Sequence, residues 1–178
     1  EVYLNTAYII NKPTKSIVRY KHLSSPDKLP SIYEFDIYIY VYGHPFFSIC
    51  SLYRRNFQSE LYSSLNDKNI QDSFRSLNMY FQCVENEKKC LFGMYKQFLS
   101  WYKFQENIPL MFLNISNIEE EKEKLGCFLQ NEEICKSMIY NEGTRSDYTY
   151  YIEKYPIAFE LYNNMYKEMI KLTCKKCI

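Results

Sequence analysis

Glycine and alanine are scarce in this chain, with four and two residues among 178. So little glycine leaves no Gly-rich loop to cradle a phosphate and no nucleophile elbow. His22 and His44 are the only histidines, which excludes a paired-histidine zinc helix. No apolar run approaches the roughly 20 residues needed to span a bilayer. A net charge of +1 supplies no global field to draw in nucleic acid or an anionic membrane. The small basic clusters, Arg54-Arg55, Lys15 to Lys21, and Lys171 with Lys175 and Lys176, read as solvated faces.

What is abundant is aromatic: 19 tyrosines and 12 phenylalanines within an apolar fraction of 47%. That fraction suffices for a core and argues against disorder. Tyr, Asn, Lys and Ile share AT-rich codons, so part of the excess reflects genome composition. The rest suits an interface, because tyrosine offers large, rigid, amphipathic contact area.

A cysteine-bearing segment recurs at a period of about 45 residues, in the manner of stacked helical units. Pro109 to Phe112 leads to Cys127, and Pro156 to Phe159 leads to Cys174 at the same distance. Inside the frame Asn117 matches Asn164, Glu121 matches Glu168 and Leu125 matches Leu172. A fainter copy ends at Cys83. Seven cysteines in a chain of this size favour an oxidising compartment. If a helix ends at the first member of each close pair, Cys83–Cys90, Cys127–Cys135 and Cys174–Cys177 could each staple an interhelical turn, leaving Cys50 as a free thiol. The competing arrangement links Cys50 to a later cysteine and frees another. The chain starts at Glu1, which suits a mature protein whose signal peptide is gone. Asn114-Ile115-Ser116 is its one glycosylation sequon.

Along the chain, Val2 to Ile10 and Ser16 to Tyr20 flank a turn-like break at Asn11 to Thr14. Phe35 to Tyr42 has strand propensity, although Ser31 with Glu34 could instead cap a helix. From Phe46 the period is helical. Phe46, Cys50, Tyr53, Phe57 and Leu61 form one stripe ending near Asn66-Asp67. Further helices are expected over Asp72 to Gln82, Glu87 to Phe104, after a cap at Ser116 or Asn117, over Asn131 to Tyr140, before Pro156, and from Pro156 onward. Gly143 to Ser146 marks a break. The expected fold is therefore mainly α, a disulfide-stapled helical repeat or bundle of about six to seven helices. Residues 1–45 form a segment packed on it, a small β-hairpin or extended. Residues 46–178 form the repeat domain, with units near 65–104, 109–155 and 156–178.

Two groups of residues could carry chemistry. His44 could act as general base to Cys50 in a thiol enzyme, but a loop histidine before a proline is more often structural. Cys174-Lys175-Lys176-Cys177 has the spacing of half a zinc site or a redox pair, and no second pair of that spacing supplies further ligands. A structural disulfide is the favoured reading there. The stripe Phe98, Trp101, Tyr102 and Phe104 reads as core. Glu119, Glu120, Glu121 and Glu123 with Lys122 and Lys124 read as a solvated, i,i+4-supported face. Neither a cofactor nor a metal is expected.

Cys83, Cys90 and Tyr95, then Cys127, Cys135 and Tyr140, make two modules of paired cysteines with a following tyrosine. Across residues 69–140 this resembles the BICYCLE proteins of aphid salivary glands. The composition is also similar to variant surface protein ectodomains of malaria parasites. Either resemblance implies a secreted protein that meets host molecules. The resulting expectation is a secreted, non-enzymatic binding protein, a host-directed effector whose partner is a host protein. Its expected binding patch is Tyr148, Tyr150 and Tyr151. The alternative is a carrier of lipid or another small apolar ligand in an internal cavity.

Overall fold

The computed structural model describes residues 6–11, 16–20, 25–28, 37–66, 68–70, 72–105, 109–130 and 148–174. The chain is mainly helical, with seven α-helices and one four-stranded sheet among these residues. It divides into two compact units, residues 1–43 with 100–145, and residues 44–99 with 146–178.

The first unit holds the sheet, in the order β2-β1-β3-β4. Strands β1 (Thr6–Asn11) and β2 (Ser16–Tyr20) form the hairpin expected from the turn-like break, with Ala7 opposite Tyr20. The segment rich in β-branched and aromatic residues becomes β3 (Ile37–Tyr42), antiparallel to β1. The helical alternative for that segment is therefore excluded, and its capping pair Ser31 and Glu34 lies outside the described residues. On its other edge β3 pairs in parallel with β4 (Leu110–Asn114), placing Tyr38 opposite Leu110 and Tyr42 opposite Asn114.

Alternation along β3 separates two cores, because successive side chains leave opposite faces of a strand. Ile39 and Val41 pack with Leu113 against Ile118 and Leu125 of helix α5 (Ile118–Leu129). On the opposite parity Tyr40 meets Trp101 at 5.9 Å and Phe112 at 5.3 Å between ring centroids. A strand covered on both faces reads as a continuous apolar run, and Tyr38 to Tyr42 are all buried.

The second unit is helical. Helix α1 (Pro45–Arg54) packs against α3 (Leu77–Glu87) and α7 (Pro156–Cys174), with α2 (Gln58–Asn66) and the short α6 (Thr149–Lys154) beside them. Aromatic rings fill its centre: Phe46 stacks on Phe81 at 4.6 Å and meets Phe159 edge-on at 5.2 Å. The hydroxyls of Tyr80 and Tyr162, both fully buried, bond to each other. Glu85 accepts the Ala158 N–H at 2.7 Å, placing a carboxylate at the positive end of α7. Helix α4 (Met94–Phe104) contains the boundary between the units at Leu99.

Several sequence expectations need correction. The stripe from Phe46 to Leu61 is two helices, because Asn56 takes a left-handed φ of 57° and breaks it. Helix α3 begins at Leu77, after a 3-10 turn over Asp72–Phe74. Helix α4 starts at Met94, seven residues later than Glu87 suggested, so Cys90 lies in a loop. The repeated segments do not share a conformation either. Leu110–Asn114 is a strand, whereas the equivalent residues after Pro156 open a helix. Residues 100–145 accordingly join the N-terminal segment, and the division into 1–45 and 46–178 with three repeat units does not describe the contacts.

Among the described residues no disulfide is formed: Cys50, Cys83, Cys90, Cys127 and Cys174 all carry thiols. The premise of a Cys83–Cys90 staple was a helix ending at Cys83, but α3 runs on to Glu87 and closes with Lys88 in the left-handed region. Cys135 and Cys177, the expected helix over Asn131 to Tyr140 and the break at Gly143 to Ser146 lie outside the described residues. Asn114 is only 4% exposed at the end of β4, where its side chain accepts the Ser116 N–H at 3.1 Å. That amide caps a turn inside the fold, and a glycan on it would not fit there.

Candidate functional site: an arginine–tyrosine cleft in the helical unit

The last turn of α1 carries Tyr53 and Arg54, and the reversal at Asn56 brings the start of α2 back beside them. Arg75 and Ser76, just before α3, form a second wall, and Tyr148 and Tyr151 of the α6 segment a third. Together these residues line an open cleft of about 450 Å3, within the usual size of ligand sites. The Tyr53 hydroxyl donates to the Phe74 carbonyl at 2.7 Å, which fixes α1 to the turn before α3. Burial pushes the Tyr53 pKa up, so this donor stays protonated. Ser76 accepts the Met79 N–H at 3.2 Å and caps α3.

Charge and hydrogen bonding in the cleft are lopsided. Among the described residues two arginines line it, and none of those lining it is Asp or Glu. Arg75 pairs with Asp72 at 2.7 Å, but those side chains are 73% and 86% exposed, where such pairs contribute little. The Gln58 side-chain oxygen is buried and has no hydrogen-bond partner among the described residues.

The three tyrosines expected to form one patch are divided. Tyr148 and Tyr151 line the cleft and pack partly against the core. Tyr150 is 57% exposed and engages Lys154, whose Nζ donates to its hydroxyl at 3.0 Å and lies 5.2 Å from its ring centroid. Sequence reasoning named Tyr148 and Tyr151 but missed Tyr53, Gln58 and Arg75. The Arg54-Arg55 pair was the one available signal, and it read as a solvated face.

The thiol-enzyme arrangement finds no support in the geometry. His44 is the N-cap of α1: its Nδ1 accepts the Phe46 N–H at 3.3 Å and its ring stacks on Phe159. Cys50 is buried, and burial pushes its thiol up to about 12, far from a thiolate at neutral pH. Iodoacetamide at pH 7.5 should therefore modify the exposed Cys127 and Cys174 quickly and leave Cys50 untouched until the chain is denatured. Peptide mapping by mass spectrometry reads this directly; rapid native labelling of Cys50 would contradict its placement.

A second open cleft, of about 360 Å3, lies along Asn78, Met79, Gln82, Cys83 and Tyr155. No three His, Cys, Asp or Glu side chains gather as a metal-ligand set among the described residues. No helix among them is long and apolar enough to cross a membrane. No protein-family model, no curated protein and no solved structure matches the chain.

Proposed function

We propose that this chain is a secreted, non-enzymatic binding protein, a host-directed effector acting through protein–protein contact. The observation that carries the binding reading is the open cleft walled by Tyr53, Arg54, Arg75, Tyr148 and Tyr151. Tyrosine and arginine are the residue types over-represented at energetically dominant contacts between proteins. Exposed Phe57 and Tyr150 add large apolar surface elsewhere on the same unit. The centre of that unit is occupied by rings, and both clefts open at the surface, which favours contact with a partner over enclosure of a lipid. Secretion rests on the cysteine content alone.

The test is capture from host-tissue extract on immobilised protein, run beside the Tyr148→Ala/Tyr151→Ala double variant. A binding protein using this cleft retains specific host proteins that the variant loses. Native mass spectrometry showing co-purified lipid, with no protein retained, would favour the carrier instead.

A further inference from the structure

We infer that His44 is an acid-operated latch, whose protonation frees the start of α1 and loosens the cleft wall that this helix carries. Only the consequence for partner binding rests on the reading above; the latch itself stands on the packing around one imidazole. His44 precedes α1 as its N-cap, and its Nδ1 accepts the Phe46 N–H at 3.3 Å. Acceptance there places the proton of the neutral ring on Nε2. The side chain also hydrogen-bonds with Asn163 of α7. Between centroids the ring lies 4.8 Å from Phe47 and from Tyr166, and it stacks on Phe159 at 5.8 Å. His44 thus ties the first turn of α1 to α7.

A second proton reverses the cap. Nδ1 becomes a donor facing the donor N–H of Phe46, and a cation then stands at the positive end of α1. Phe47 faces the ring from α1, and Phe159, Asn163 and Tyr166 face it from α7; Tyr166 is the titratable one, and none of the four is a carboxylate. Aromatic faces attract a cation, yet burial dominates here and holds the ring's pKa at about 4. Released into water, the ring titrates near 6.5. The open form therefore binds the proton more readily, and opening grows as pH falls from 6.5 towards about 4.

The release reaches the cleft by two routes. Helix α1 itself supplies Cys50, Tyr53 and Arg54 to the lining. Phe47, against the imidazole, also stacks on Tyr148 at 6.1 Å, and Tyr148 is part of another wall.

Cys50 reports the movement without any ligand, because it is buried on α1 and borders the cleft. The full chain is treated at pH 6.5 and at pH 5 with a dipyridyl disulfide, which reacts with thiols in mild acid, and peptide mapping follows each cysteine. Labelling of Cys50, divided by that of the exposed Cys127, should rise about tenfold between the two conditions. Cys83, packed against the same core from α3, should keep its ratio to Cys127. His44→Asn caps without titrating, so its Cys50 ratio should be equal at the two pH values, whatever its absolute level. A flat wild-type ratio, or the same rise in His44→Asn, overturns the latch. A parallel rise at Cys83 shows unfolding of the whole unit and overturns it too. If circular dichroism shows that the substitution costs helicity, the wild-type profile decides alone: one proton gives at most about a tenfold rise per pH unit, and a steeper rise overturns the latch. No partner enters this measurement, so the latch and the binding reading fail separately.

Discussion

Replacing Phe46 by alanine should destabilise the helical unit by about 3–5 kcal/mol, the usual cost of emptying a fully buried phenylalanine site. Phe46 is 0% exposed, stacked on Phe81 and edge-on to Phe159, so one truncation removes contacts to α3 and α7 together. Rings packed this closely relax poorly into a void, which places the cost high in that range. Set against the roughly 5–15 kcal/mol that holds typical domains folded, the loss is a large fraction. The neighbouring Phe47 is 39% exposed, and its alanine variant should lose only about 1 kcal/mol. Urea unfolding of the two variants, side by side, makes the comparison. Similar midpoints for both would mean that α1 presents a different face to the core.

The second large effect is a pH dependence centred on His44. Partial burial lowers its pKa to about 4, outweighing the hydrogen bond with Asn163 that raises it. The unfolded chain has the ordinary value near 6.5. The sign follows from proton counting: between those two values the unfolded state binds more protons, so stability falls as the solution is acidified. The contribution of a neutral His44 is complete above pH ~6.5 and disappears as pH drops through about 4. Because the imidazole keeps some contact with solvent, we discount the full linkage value to roughly 2 kcal/mol. His44→Asn keeps a capping side chain without a titrating ring. Its stability should therefore decline less than the wild type's between pH 7 and pH 4, by that amount. Parallel pH profiles for the two proteins would falsify the assignment.

Much of the architecture can be read from residue patterns, and the omissions have physical causes. The β1–β2 hairpin is visible because Asn11 to Thr14 interrupts two β-prone runs, and α7 because Ala158, Met165, Met169 and Leu172 repeat at helical spacing after Pro156. β4 is hidden because Leu110 to Leu113 is an unbroken apolar run, and periodicity cannot distinguish a buried strand from a short helix there. The break at Asn56 is hidden because apolar spacing continues across it, while the backbone takes a left-handed turn that Asn tolerates. The cleft is least visible of all. Tyr53, Gln58, Arg75 and Tyr151 are separated by up to about a hundred positions, and only the packing of α1, α2, α6 and the turn before α3 brings them to one place.

The parallel pairing of β3 with β4 sets an order of events during synthesis. β3 leaves the ribosome with one rim bare, and its mate at Leu110–Asn114 emerges only after roughly 70 further residues have been translated. For that interval a row of tyrosines and branched aliphatics awaits a distant stretch of the same polypeptide, and the helical unit cannot close in the meantime because α7 is translated later still. A nascent edge of that kind is where chaperone capture and mispairing with another copy concentrate, so the yield of correctly assembled protein depends on how quickly translation delivers the missing rung.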